Sequence, residues 1–356
     1  VRSPVVVRSI GRSVVAVVAS SAPAGRPARP VVMAIDTVLR DALGLRWAAD
    51  LRMLTLEAMY FAITAYQWVS PAPTWFGAAL LYLFTLVLAF SGATAVHNCV
   101  HTPPFRSRVA NSVWYVVLTL TLGQPVSSYV PGHNYSHHKY LATRKDIART
   151  SQMRHSWNLL NLLLFVPQTV FVVHRNDVLY FKAQKGRPIY YQAWLELVAL
   201  YGAYALLGAL SPYKTLALVV LPHLWAKYAI ITINLLQHDC CDPNSKYDFA
   251  RNFTDDVLNF FAYNNGYHTI HHMYPGKHWS KLKDEHAKRV QPYIHPELDQ
   301  SSIFGYMFHA YVYPGERRMY DGTPYVEPPD AKLSQLDWTF DVTATFDDDD
   351  DDELAK

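Results

Sequence analysis

The sequence predicts an all-α integral membrane protein: four transmembrane helices in two hairpins, with a cytosolic helical cap that carries clustered histidines. Three observations predict it. Apolar runs long enough to cross a bilayer core of about 30 Å occur in pairs. Eight histidines fall into three tight clusters just beyond the ends of those runs. Positive charge gathers in the segments that hold the clusters. The chain is 51% hydrophobic and 14% aromatic, high for a soluble protein.

Three regions divide the 356 residues: an N-terminal tail (1–45), a membrane domain (46–312) and a C-terminal tail (313–356). Residues 1–32 hold five Arg and no acid, a composition that suits an organellar transit peptide. Met33 opens a second possible start, which makes 1–32 equally an untranslated leader. The first crossing runs from Leu51 to Val69 and carries Arg52 and Glu57. A turn from Ser70 to Thr74, with Pro71 and Pro73, joins it to the uncharged run Trp75 to Ala95. Val113 to Leu122 is too short to cross and reads as a re-entrant or interfacial piece. Leu159 to Val173 should lie along the membrane surface, broken by Pro167. Tyr190 to Leu210 and Leu216 to Leu236 form the second hairpin around Ser211 and Pro212. From Pro314 the chain becomes Pro-rich and then acidic, a composition that predicts disorder.

The stretch from His97 to Tyr190 holds eleven Lys and Arg against Asp146 and Asp177, whereas the turns 71–74 and 211–215 offer only Lys214. Basic loops stay on the cytosolic side or its stromal equivalent, so the histidines should face that way. Clusters one and two share a loop, and two crossings separate them from cluster three. An even number returns the chain to the same face. Three cysteines, Cys99, Cys240 and Cys241, form no disulfide framework and suit a reducing compartment.

The clusters are His97 and His101; His133, His137 and His138; and His268, His271 and His272. Spacings of three and four put imidazoles on one helix face. Each His-His pair sets a further ring about 100° round, so one short helix can serve two adjacent ions. Eight imidazoles exceed the four to six ligands of one ion, and two metals is the economical reading. Residue type alone leaves zinc, copper, iron and nickel open. His238 emerges two residues past the last crossing and is a ninth candidate ligand. Asn234, one turn earlier, could hold a metal-bound water or orient a ligand. Asp146, Asp239 and Asn264 could orient ligand rings, and Tyr135 and Tyr267 read as packing. His155, His174, His223, His278, His286, His295 and His309 lack ligand spacing.

From about Leu54 to Val290, the three histidine boxes, the paired crossings and the Asn234 to His238 element resemble the integral-membrane fatty acid desaturases. The resemblance implies that the nine histidines, with Asn234, hold two iron ions that use O₂ and two electrons to form a double bond in an acyl chain. Breaking an unactivated C–H bond also requires a redox metal, which excludes zinc. The His-Pro-Gly-Gly motif of fused cytochrome b5 domains is absent, so electrons should come from a separate cytochrome b5 or ferredoxin. The third box opens on His268 rather than Gln, unlike front-end desaturases, and the first box has three intervening residues where some subgroups have four. The implied setting is the endoplasmic reticulum or plastid membrane, with a lipid or acyl partner and no nucleic acid. Two alternatives remain: a lipid or carotenoid hydroxylase or ketolase with the same boxes, and a histidine-rich metal transporter. Transporters place ionisable ligands near mid-membrane, whereas these lie beyond the span ends.

Overall fold

A computed structural model describes residues 29–70, 74–153 and 155–327. The segment before residue 29, read as a transit peptide or an untranslated leader, the prolines between Ser70 and Thr74 and the acidic run near the C-terminus lie outside the described residues. Helices dominate, and the two strands seen, Asn252–Phe253 and Asp299–Gln300, make one short parallel pair.

Among the described residues, three helices are long and apolar enough to cross a membrane: α3 (Trp75–Cys99), α7 (Pro188–Leu210) and α8 (Pro212–His238). They follow α1 (Arg29–Ala42) and α2 (Leu51–Val69), while α4 (Arg108–Leu122), the single turn α5 (Tyr129–Gly132) and α6 (Asn158–Ala183) fill the loop between α3 and α7. The 19-residue α2 is long enough but is not among these three. It contains Arg52 and Glu57, and its Gln67 amide donates to Thr85 Oγ1 of α3 at 2.8 Å.

Helix α3 is the hub. Ser91, Gly92, Ala93, Thr94 and Ala95 are all buried, and such small side chains let neighbouring backbones approach closely. A Cβ on Gly92 would stand 2.4 Å from Thr121 Cγ2 of α4. Large side chains of the spans, including Trp75, Leu83, Val198 and Leu206, point outward and stay exposed, as expected of a surface solvated by lipid.

Two loop segments are helical. The region around Val113 to Leu122 is the C-terminal part of α4, a 15-residue helix and not one of the membrane-crossing candidates. It stops at Gly123, whose φ of +71° is a left-handed C-cap. The expected break at Pro167 does not occur: α6 runs unbroken for 26 residues. Pro167 leaves the Leu163 carbonyl without its helical donor, and the Tyr228 hydroxyl of α8 supplies one at 3.4 Å. A residue from another helix thereby offsets the cost that local sequence predicts.

Of the segment read as a tail from residue 313, the described part, to residue 327, packs against the cap. Arg317, from the segment after α12 (Ile303–Met307), reaches Asp239 and the carbonyls of Met153 and Thr150. The Tyr320 amide donates to the Cys240 carbonyl at 3.0 Å. The remaining helices, α9 (Asp256–Phe261), α10 (His268–Met273) and α11 (Leu282–Arg289), build the cap between α8 and that segment. The N-terminal side also braces the cap. Asp50 Oδ1 accepts from His278 Nε2 at 2.9 Å and Trp279 Nε1 at 2.8 Å, and Trp47 stacks on the His278 ring.

Candidate metal centre

Each histidine is delivered by an element that ends at the same place. The C-terminal turn of α3 supplies His97, with His101 just beyond, and the last residue of α8 is His238. The third cluster lies on α10, a short α-helix. The second departs from the expected α-helical geometry: residues His133–His138 form a π-helical turn. Such turns concentrate at functional sites. Here the wider turn sets His133 and His138, five apart, with their Nε2 atoms 3.1 Å from each other.

Nine imidazoles divide into two groups that could each hold a metal ion. His97, His101, His133, His138 and His271 form one; His137, His238, His268 and His272 form the other. Within each group the ligand nitrogens lie within 4.8 Å of one another. Both His-His pairs are split between the groups, as rings 100° apart on a helix require. The groups adjoin, since the rings of His138 and His272 stack at 4.1 Å.

The nitrogens suit cations better than one another. His271 Nε2 stands 3.1 Å from His138 Nε2, and His238 Nε2 stands 2.9 Å from His268 Nε2. His97 has no hydrogen-bond partner on either ring nitrogen, nor do His101 Nε2, His137 Nε2 and His268 Nδ1. Unpaired polar atoms in a buried site are costly unless something satisfies them. Burial, followed by repulsion from His137, pushes His101 down to about 3. Burial likewise holds His133, His138, His268, His271 and His272 well below the ordinary imidazole range, with neighbouring imidazoles adding to the effect. Neutral rings keep a lone pair free, which is the ligating form. The donor set therefore fits two ions that favour nitrogen.

Outer contacts fix two of the rings. His137 Nδ1 donates to Asp146 Oδ2 at 3.1 Å, leaving its Nε2 to face the group. Asp146 is itself held by the amides of Ala142 and Ala148. His238 Nδ1 faces the Phe249 carbonyl at 3.3 Å. A carboxylate or carbonyl behind an imidazole sets its tautomer and orientation. Asp239 and Asn264, also read as orienting groups, bind elsewhere: Asp239 pairs with Arg317, and the Asn264 amide donates to the Trp279 carbonyl. The Asn234 amide donates to the Ala148 carbonyl at 3.1 Å, and the residue lines the adjoining cavity. The Cys241 thiol faces the carbonyls of Gln237 and Asp239. Tyr135 packs against Tyr180, and Tyr267 against His286.

Sequence reasoning missed Asp50 and Arg317, the two charges that clamp the cap from either side. No local signal marks them, because their partners are more than seventy residues away.

A cavity of about 1030 Å³ starts at His133 and His137 and extends between α6, α7 and α8. Its size is at the upper limit of ordinary ligand sites. Most of its wall is apolar, including Val166, Val170, Leu197 and Ile231. An apolar channel that ends on a polar, metal-competent site suits a long hydrocarbon whose interior carbons must reach that site.

Residues 73–300 match the family described as Fatty acid desaturase. No curated protein matches the chain. The match covers well over half of the sequence and contains every histidine of the two groups. The chain belongs to the fatty acid desaturase family and is an oxidoreductase.

Proposed function

We propose that this protein is an O₂-dependent desaturase that introduces a double bond into a fatty acyl chain at two histidine-held irons. His97, His101, His133, His138 and His271 would hold one ion, and His137, His238, His268 and His272 the other. The observation that carries this reading is the junction of the two groups with the apolar cavity at His133 and His137. Bound iron supplies the redox chemistry with O₂ that an unactivated methylene demands.

In the overall reaction, two adjacent methylenes each lose one hydrogen. Together with two electrons and two protons from outside, these reduce O₂ to two waters, and a carbon–carbon double bond forms. The chain's own residues bind, orient and shield. The apolar walls exclude water from the reacting carbons. Asp146 and the Phe249 carbonyl keep His137 and His238 turned toward the ions. Asn234, one turn before His238 and on the cavity wall, is assigned to orient a ligand there. Electrons come from a separate cytochrome b5 or ferredoxin.

The same reading makes α2 a fourth crossing, paired with α3 as the first hairpin. The histidines then face the cytosol or stroma of an endoplasmic reticulum or plastid membrane, as the basic loops require. Mass spectrometry of the products tests the function. Acyl chains lighter by two hydrogens are expected; chains of unchanged saturation carrying an added oxygen would make the protein a hydroxylase or ketolase instead.

A further inference from the structure

The cavity is framed as a triangle. At its apex, away from the histidines, the Tyr204 hydroxyl of α7 meets His223 Nδ1 of α8 at 2.7 Å, and His223 Nε2 donates to the Leu120 carbonyl at 2.8 Å. From there the two spans diverge. Helix α7 is drawn to the turn before the second histidine cluster, where Glu196 accepts from the Ser127 amide and hydroxyl. Helix α8 is drawn to α3, where the Trp225 indole donates to the Leu86 carbonyl. Helix α6 closes the base, held by Tyr228 at one end and packed under Gly132 through Val173 further along.

The frame is open on its outer side. Tyr201, Trp194 and Leu224 line the cavity and are nevertheless 63%, 52% and 52% exposed. Wall residues of a closed pocket would be largely covered. On spans whose outer surface is solvated by lipid, these side chains border a window onto the bilayer.

The base of the triangle is polar where the rest is not. Asp177 lines the cavity, is 9% exposed, and its Oδ1 has no hydrogen-bond partner. Burial raises its carboxyl well above the usual range, which favours the protonated form that donates to a carbonyl oxygen. Lys182 and Lys185 line the same cavity further along α6 and are exposed at its rim. At 1.5 Å per residue they follow Asp177 by roughly 7 and 12 Å along the helix. An acceptor for a proton donor, with an anion close behind it, describes an ester carbonyl and a phosphate separated by glycerol carbons. In a coenzyme A thioester the whole pantetheine arm lies between carbonyl and phosphate.

We propose that the substrate is an acyl chain still esterified in a membrane glycerophospholipid, which enters sideways through the window between α7 and α8. Its ester carbonyl accepts from Asp177, and its phosphate lies by Lys182 and Lys185. This inference rests on the desaturase reading above and specifies the carrier of the chain.

The test uses the iron-loaded full-length protein in nanodiscs with O₂ and a reduced donor protein. Isotopically labelled stearoyl and oleoyl chains are supplied either within phosphatidylcholine or as coenzyme A thioesters. New double bonds in intact phosphatidylcholine, without conversion of the thioester, are expected. Conversion of the thioester alone overturns the phospholipid assignment and leaves the desaturase reading standing. Conversion of neither refutes both. Two variants then address the head of the site. Asp177→Leu should raise the apparent KM for phosphatidylcholine about tenfold with little change in kcat, as expected for one lost hydrogen bond in a buried site. Asp177→Asn keeps a donor and should stay close to the parent protein. An unmoved KM in Asp177→Leu would remove Asp177 from the recognition of the carbonyl.

Discussion

Replacing His271 with Ala is expected to abolish product formation while the protein still folds and inserts. His271 is 2% exposed and belongs to the five-histidine group, its Nε2 3.1 Å from His138 Nε2 and its ring 4.6 Å from that of His97. Its removal takes one nitrogen from the inner sphere of one ion and loosens the neighbours it touches. Loss of a residue that merely orients a ligand typically costs about 10–100-fold in affinity or activity. Loss of the ligand itself should exceed that range. The fold has little stake in this ring, because α2, α3, α4 and α8 meet in an apolar core that does not include it. Product analysis of membranes that contain equal amounts of the parent and variant proteins checks the prediction. Activity at half the parent level or more would remove His271 from the ligand set.

Replacing Asp239 with Ala is expected to destabilise the cap more than any other single charge change. Asp239 and Arg317 form an ion pair with side chains only 2% and 10% exposed. Arg317 also donates to the Met153 carbonyl at 2.6 Å and stacks on Tyr325, while the Tyr311 hydroxyl donates to Asp239 at 3.1 Å. Removing one partner of such a pair leaves the other buried and uncompensated, at a cost of about 3–5 kcal/mol. The pair joins the residue after His238 to the loop that follows the second histidine cluster, so its loss should also weaken the four-histidine group before the five-histidine group. Thermal unfolding in detergent reads the first effect. The double variant with Arg317→Ala should recover part of the lost stability, since it leaves no lone charge. A variant that unfolds at the parent temperature would show that the clamp is not structural.

The comparison of sequence with structure divides along the range of the forces involved. Local signals located the long apolar helices well. Leu51 to Val69 is a helix with those bounds, and the apolar run from Trp75 extends to Cys99 because His97 and Cys99 face the core rather than water. Ligand spacing also carried far, since His-His pairs on a helix must diverge in direction, and the structure assigns their members to different groups. What periodicity could not supply was any partner chosen across the fold. Pro167 reads as a helix breaker because nothing near it in sequence reveals Tyr228. Arg317 reads as part of a solvated tail because Asp239 lies 78 positions earlier. The π turn at His133–His138 has no distinguishing composition, and Asp146, which meets His137 there, lies beyond the turn in sequence.

Metal stoichiometry with X-ray absorption at the iron edge, on protein purified from iron-replete cells, tests the central claim most directly. The account predicts two irons per chain, each with an inner sphere dominated by imidazole nitrogen and no sulfur. A single ion per chain, bound zinc in place of iron, or a sulfur ligand from Cys240 or Cys241 would contradict it.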